Sequence, residues 1–314
     1  MKKVINYLVY LIAKSISVFF QILPERVARG IGVFLGNLAY LLDFKHRRIA
    51  LNNLKLAFGD TYTEKERRAI ARQNFVNLAK NFVVFCRIPK IRRNTLAKTV
   101  KFHGKKPVMK ALERGKGIIF FLAHLGNWEV MVTLPLLLKQ PLYAVGKPLR
   151  NPYLDRWISG IREYFGVEIV SSVGAAKALL RLLRENKMVG ILADQRARMR
   201  DAVMIDFFGH PAPTLKTPAF FALKTGAAVI PVSHRREGDV HHITAHPAFE
   251  ITRTGDLKHD IVVNTQRFHH FLEEEIRKDP TQWFWVHRRW QRREGHKRHH
   301  RVNANPRGER KDKP

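Results

Sequence analysis

The chain opens on an almost uninterrupted apolar stretch from Val4 to Leu23, followed by a second from Ile31 to Leu42 and then by the polar cluster Lys45-His46-Arg47-Arg48. Wound as a helix, the first stretch would be about 30 Å long, the thickness of a bilayer's hydrocarbon core. Lys14 interrupts it, and a lysine near the bilayer centre costs a few kcal/mol unless it snorkels or faces protein. Three placements therefore stand open: an embedded anchor, a helix lying in the membrane interface and a buried core helix. Leu23-Pro24-Glu25-Arg26 lacks the small residues of a signal-peptide cleavage site. The second stretch is short for a span and suits an amphipathic or packed helix.

Beyond residue 60 the apolar positions come in shorter groups. Thr63 and Glu66 have the spacing of a capping box, and Ile70, Phe75, Leu78, Phe82 and Phe85 continue an apolar helical face. These predict a long helix from Glu64 to about Arg87, stopped by Pro89, with Arg92 and Arg93 in the connection. Further helices are predicted over 108–114, 129–138, 154–165, 175–185, 219–225 and 260–277. Strands are predicted over 117–122, 142–145, 167–170, 189–192, 228–232 and 241–245. The alternation predicts an α/β fold, a mostly parallel central sheet flanked by helices, with a site at the strand ends. Residues 294–314 carry almost no apolar side chains and read as a disordered basic tail. The expected organisation is an N-terminal membrane-associated segment over 1–44, a catalytic domain over 45–293 and the tail.

Composition changes the picture in one respect. Lys and Arg number 57 against 26 Asp and Glu, a formal net charge of +31, while the apolar fraction of 45% is ordinary. Such a surface favours a polyanionic partner, and nucleic acid and an anionic membrane both satisfy it. The apolar N-terminus favours the membrane, and the basic cluster that follows favours a body on the cytoplasmic side, by the positive-inside bias. Cys86 is the single cysteine, which excludes an internal disulfide and a cysteine-based zinc site; its apolar helical setting suits a buried thiol. His241, His242 and His246 alternate along a probable strand without a metal-binding pattern, and no nucleotide fingerprint occurs, so no metal or nucleotide cofactor is expected.

The candidate chemistry sits at Gly117-Ile-Ile-Phe-Phe-Leu-Ala-His124-Leu-Gly-Asn-Trp-Glu129. A buried strand would deliver His124, Gly126 and Asn127 would turn the chain and cap a helix, and Glu129 would fall in the first helical turn. There the helix dipole favours an ionised carboxylate. Glu129 is expected to accept the proton-bearing ring nitrogen of His124, leaving the other nitrogen as a base toward an alcohol. Backbone N–H groups at Gly126 and Asn127, or a nearby arginine, are the expected donors to an oxyanion. No Gly-x-Ser-x-Gly elbow appears, and Cys86 is a poor nucleophile candidate.

The His-x-x-x-x-Glu spacing resembles the His-x-x-x-x-Asp/Glu box of glycerolipid acyltransferases, and the chain as a whole resembles the bacterial late acyltransferases of lipid A biosynthesis. Lys147-Pro-Leu-Arg150-Asn151-Pro152 with Arg162 beyond it, Gly190-Ile-Leu-Ala-Asp194-Gln195, and Trp285-Val-His287-Arg288-Arg289-Trp290 follow in that family's order. The resemblance implies acyl transfer from a thioester, on acyl carrier protein or CoA, to a hydroxyl of a phosphorylated glycolipid at the inner membrane. It also implies an essential role for Arg162 and a supporting or substrate-positioning role for Asp194 with Gln195. Arg150 is a secondary candidate for a phosphate or carrier contact. His287, Arg288 and Arg289 carry the chemistry to grip phosphates, since arginine matches phosphate geometry. The interleaved tryptophans read as a membrane-interface anchor or, in the rival reading, as a nucleic-acid stacking platform. The His-Leu-Gly-Asn-Trp-Glu form also resembles related enzymes that acylate other lipids from acyl-CoA, which implies a phosphatidylinositol mannoside or a lysophospholipid as the alternative acceptor. A basic nucleic-acid-binding protein and a non-enzymatic membrane scaffold are the alternatives of other classes.

Overall fold

The computed structural model describes residues 2–91, 96–146, 148–171, 174–238 and 240–290; the expectations for Arg92, Arg93, Lys147 and the tail lie outside them. Four helices come first: α1 (Lys2–Ile22), α2 (Glu25–Leu42), α3 (Phe44–Phe58) and α4 (Glu64–Arg87). The predicted capping box starts α4: the Thr63 hydroxyl accepts the Glu66 N–H and the Glu66 carboxylate accepts the Thr63 N–H. α2 packs on α4 through a stripe of small residues, Ala28, Gly32 and Gly36. A Cβ at Gly36 would stand 2.4 Å from Val76 Cα, so only glycine permits the two helices to approach this closely. α1 buries only Ser17 and Phe20 and exposes Val4, Leu8, Ile12 and Phe19 among others, which rules against a core helix. Its C-terminal part is tied to the body where Ser17 Oγ donates to the Cys86 carbonyl at 2.8 Å.

The remaining elements, in chain order, are α5 (Leu96–Thr99), β1 (Val100–His103), α6 (Lys105–Glu113), β2 (Ile118–Leu122), α7 (Leu134–Leu138), β3 (Leu142–Gly146), α8 (Pro152–Tyr164), β4 (Val167–Ser171), α9 (Ala175–Arg184), β5 (Met188–Leu192), β6 (Ala202–Phe207), β7 (His210–Leu215), α10 (Thr217–Thr225), β8 (Ala228–Glu237), β9 (Val240–Ala245) and α11 (Leu257–Lys278). Among the described residues seven strands form one sheet in the order β1-β9-β8-β2-β5-β3-β4, parallel except where β8 meets β9. This is the mostly parallel α/β sheet expected. β2 is buried along its whole length. Alternate side chains of a strand face opposite ways, so Ile119 and Phe121 enter the hydrophobic core on one face of the sheet, and Ile118, Phe120 and Leu122 that on the other.

Several elements escape the apolar pattern: α3, the one-turn helix α5, the short edge strand β1, and the separate β6–β7 ribbon. β7 contains Pro211 and Pro213, which cannot donate to a ladder; they stand opposite Asp206 and Met204, and Asp206 turns its own N–H and carbonyl to Gln266, so these are positions of the ribbon that exchange no backbone hydrogen bond. The helix expected over 129–138 is instead a 3-10 helix, Trp128–Thr133, followed by α7. Pro135 has no N–H to offer the Met131 carbonyl, which breaks the α-helical ladder at that point.

Candidate active site

β2 and β5 pair in parallel register from Ile118 opposite Met188 to Leu122 opposite Leu192. Each chain runs two residues past its strand, and His124 and Asp194 arrive side by side. His124 Nδ1 lies 2.8 Å from Asp194 Oδ1, and the His124 backbone N–H donates to Oδ2 at 3.0 Å. The indole N–H of Trp283 donates to the same Oδ2 at 2.9 Å. A carboxylate only accepts, so Nδ1 carries the ring proton and the lone pair of neutral His124 is on Nε2. Burial alone would raise the pKa of Asp194, but the charge of His124 and the hydrogen bonds from His124 and Trp283 hold it at about 2. Burial opposes protonation of His124, yet the charge and hydrogen bond of Asp194, helped by the charge of Glu129, raise its pKa above the usual value.

The carboxylate hydrogen-bonded to His124 is thus Asp194 and not, as expected, Glu129. Glu129 stands in the first turn of the 3-10 helix, and its Oε2 lies 3.3 Å from Arg162 Nη2, both side chains partly buried. The difference is one of register: the adjacent strand end faces the imidazole directly, whereas Glu129 lies beyond the turn and reaches His124 through its field. Arg162 is drawn into the cleft by this pair.

The expected oxyanion donors are also committed elsewhere. The Gly126 N–H donates to the Gln282 carbonyl at 3.0 Å, and the Asn127 N–H donates to His234 Nδ1 at 2.9 Å. Gly126 adopts φ +61, and a Cβ there would stand 2.3 Å from His234 Nδ1, so the turn requires glycine twice over. Asn127 precedes the 3-10 helix without a side-chain cap bond; its amide is buried with neither Oδ1 nor Nδ2 hydrogen-bonded.

His124, Glu129 and Arg162 line a cleft of about 790 Å³ whose walls include Phe82, Phe85, Trp128, Leu149 and Leu192. α8, which supplies Arg162, packs against α1: Asn151 Nδ2 donates to the Asn6 carbonyl at 2.7 Å, and Tyr10 meets Trp157 edge to face. The Phe284 ring, 5.8 Å from that of His124, lines this cleft and also a second one of about 610 Å³. The second cleft gathers Lys45, His46, Arg196, Arg198, His287 and Arg288, with no acidic side chain in its lining. His287 and Arg288 are therefore placed together, and His287 Nε2 accepts the Arg196 N–H at 3.2 Å.

Arg289 is not with them. It is fully buried, donates to the Pro213 carbonyl at 3.0 Å and to Thr214 Oγ1, and lies over the Phe207 ring, a scaffold role in place of the expected phosphate contact; burial lowers its pKa to about 10. Trp285 is likewise fully buried, so it serves neither as an interface anchor nor as a stacking platform for bases. Gln195 is half-buried after β5 and Arg150 is exposed; neither lines the cleft that holds His124. The three histidines of β9 and its exit meet different partners: His241 faces His234, His242 faces His103 and His246 faces Ser233.

Residues missed in the sequence hold the site in place. Asn74 and Asn77 of α4 donate to the Thr281 carbonyl, Asn74 also to that of Trp283, and Asn81 donates to the Gly126 carbonyl at 2.6 Å. Their i, i+3, i+7 spacing puts three amides on one buried helix face, a polar stripe that was readable as a docking surface for backbone. Trp283 and His234 carried no comparable signal.

The family described as bacterial lipid A biosynthesis acyltransferase matches residues 1–292. A lipid A biosynthesis acyltransferase of Haemophilus influenzae is 25% identical over 269 residues, 84% of this chain and 80% of that protein. The phosphatidylinositol mannoside acyltransferase of Mycolicibacterium smegmatis is 25% identical over 225 residues, 70% of this chain and 72% of its own. The lipid A biosynthesis lauroyltransferase of Escherichia coli K12 is 22% identical over 274 residues, 86% and 87% of the two chains. With a match over nearly its whole length and a histidine–carboxylate pair at the strand ends, the chain belongs to the bacterial lipid A biosynthesis acyltransferase family, and it is an acyltransferase of the lipid A and glycolipid type.

Proposed function

We propose that the protein transfers a fatty acyl chain from an acyl thioester, carried by acyl carrier protein, to a hydroxyl of a phosphorylated lipid A precursor or related glycolipid. The observation that carries the reading is the Nδ1–Asp194 hydrogen bond, which leaves Nε2 of His124 as the base in a largely apolar cleft. Nε2 takes the hydroxyl proton as the acceptor oxygen attacks the thioester carbonyl carbon. Asp194 stabilises the imidazolium that forms. The tetrahedral intermediate collapses with cleavage of the C–S bond, and the imidazolium returns its proton to the departing thiolate, giving ester, thiol and neutral His124. Arg162, held at the cleft by Glu129, is the cation available to the developing oxyanion. The second cleft supplies the cations for phosphate on the glycolipid, with His287 and Arg288 as its members from the WVHRRW block. α1 and the exposed apolar side chains of α2, among them Phe34, Leu41 and Leu42, would hold the body at the inner membrane, on its cytoplasmic face.

Relatives named for lipid A and for phosphatidylinositol mannoside match this chain at the same 25% identity, which keeps an acyl-CoA-dependent acylation of another lipid as the second reading. One experiment addresses both. Purified protein in detergent receives acyl carrier protein and CoA thioesters in parallel, each against a lipid A precursor, a phosphatidylinositol mannoside and a lysophospholipid. Ester product abolished by His124→Ala, and greatest with the carrier protein and the lipid A precursor, is the expected result. Transfer that persists in His124→Ala would refute the catalytic assignment, and a preference for CoA and another acceptor would select the second reading.

A further inference from the structure

α1 meets the rest of the protein along one straight stripe. Asn6, Tyr10, Ala13, Ser17 and Phe20 are buried or half-buried, and their spacing, alternately four and three residues, keeps them on one helix face from end to end. The N-terminal half of the stripe lies on α8: Asn151 Nδ2 donates to the Asn6 carbonyl at 2.7 Å, and the Tyr10 ring meets those of Tyr153 and Trp157. The C-terminal half lies on α4. There Ser17 Oγ and Gln21 Nε2 donate to the Cys86 carbonyl at 2.8 and 3.1 Å, and Phe20 meets Phe82 edge to face. α4 and α8 are also two walls of the cleft that holds His124, and Phe82 belongs to its lining. α1 therefore bridges those two walls.

A helix that crosses a bilayer is surrounded by acyl chains over about 20 residues. α1 cannot be, because one face is occupied by the body along its whole length, with polar groups at both ends: Asn151 against Asn6 at one, Arg87 and Lys90 against the Leu23 and Gln21 carbonyls at the other. On a wheel of 3.6 residues per turn, Lys2, Lys3 and Lys14 all fall in the half centred on the docked stripe. Lys14, which interrupts the apolar run, sits 5.7 Å from the centre of the docked Tyr10 ring. The opposite half carries no charged side chain and exposes Val4, Leu8, Ile12, Phe19 and Ile22. Charge on one side and apolar surface on the other is the pattern of a helix lying in the interface. At the cleft, Phe82, Val145, Leu149 and Leu192 are lining residues that also stay exposed. We propose that α1 lies in the plane of one leaflet without crossing it, and that the mouth of the cleft opens beside it into the acyl layer, from which the lipid acceptor enters directly. A lipid acceptor is the one premise shared with the proposed function.

The test places the full chain, with Cys86→Ala, on vesicles of phosphatidylethanolamine and phosphatidylglycerol. Single cysteines carrying a nitroxide replace Val4, Leu8, Ile12, Phe19 and Ile22 in turn, exposed positions whose labels leave the docked stripe intact. Depth is read from the balance of collisions with oxygen and with a water-soluble nickel chelate. All five are expected at one level, about 5–10 Å below the headgroup boundary. Leu149→Cys at the cleft mouth is expected to be immersed with them, and Lys65→Cys, exposed on α4, to stay in water. A depth that rises to about 15 Å at Ile12 and falls toward both ends is the profile of a span and would overturn the proposal. Water exposure of the α1 positions or of Leu149→Cys would overturn it as well. A second readout follows the side of the membrane: Lys2→Cys should react with a membrane-impermeant maleimide in intact vesicles as fully as Lys65→Cys, whereas reaction only after detergent would put the N-terminus on the far side and refute an in-plane helix. None of these readouts involves acyl transfer, so the placement of α1 and the catalytic reading fail separately.

Discussion

At the scale of single residues the decisive contact is between His124 and Asp194. Replacing Asp194 by Asn keeps the shape but removes the charge that holds Nδ1 protonated; kcat is expected to fall by about 10²–10⁴-fold with the fold retained, read by single-turnover acyl transfer and circular dichroism. The pH dependence follows from the same pair. His124 acts as a base only when neutral, and its pKa is raised, so kcat/KM should climb with pH through a midpoint above the ordinary histidine value. Glu129→Gln removes one of the charges that favour the imidazolium, and the midpoint should move to lower pH; an unmoved midpoint would count against the electrostatic link. Arg288 and Arg289 are neighbours in sequence with opposite fates. Arg289→Leu should lower stability by about 1–3 kcal/mol by removing the charged donor to the Pro213 carbonyl and the Thr214 hydroxyl, which keep the Ala197 N–H and the Ala212 carbonyl as their other partners, measured by denaturant titration. Arg288→Gln should leave the melting temperature alone and raise KM for the phosphorylated substrate.

At the scale of elements the site is a strand pairing plus a turn locked from outside. β2 and β5 bring His124 and Asp194 side by side, and α4, β8 and the 281–290 segment hold the turn between them. Gly126→Ala forces a side chain into a left-handed backbone conformation and against His234; it is expected to cost about 1–2 kcal/mol from backbone conformation alone and to displace His124, lowering both melting temperature and kcat. The hydrophobic run of β2 and the His-x-x-x-x-Glu spacing were legible because a buried strand and a helix-start carboxylate leave local signals. The Asp194 partnership was not, because strand order is a property of the whole sheet: β3 and β4 intervene in sequence between β2 and β5 but not in space. The same holds for Trp285 and Arg289, whose basic and aromatic alternation looks like a surface until the β6–β7 ribbon covers it.

At the scale of the molecule α1 and α2 both expose apolar outer faces, and α2 runs directly into the basic residues at the start of α3. A protein held by charge alone leaves a membrane at high salt, because screening shortens the reach of its lysines and arginines; one held by apolar burial does not. The full chain is expected to remain with anionic vesicles in 1 M salt, a wash at which the Debye length is about 3 Å, and sedimentation after the wash reads the result. Quantitative release would place the protein on the surface by charge and remove the anchoring role from α1.

The sequence by itself determined the family, the α/β class, the long capped helix α4, the apolar N-terminus and the histidine that follows β2, because each is written in local periodicity or in contiguous motifs. Only the tertiary structure decided which carboxylate serves His124, which backbone groups of the turn are already spent, and which arginines are scaffold. Those are questions of pairing and burial between segments distant in the chain, and local pattern carries no record of which strand end lies beside which.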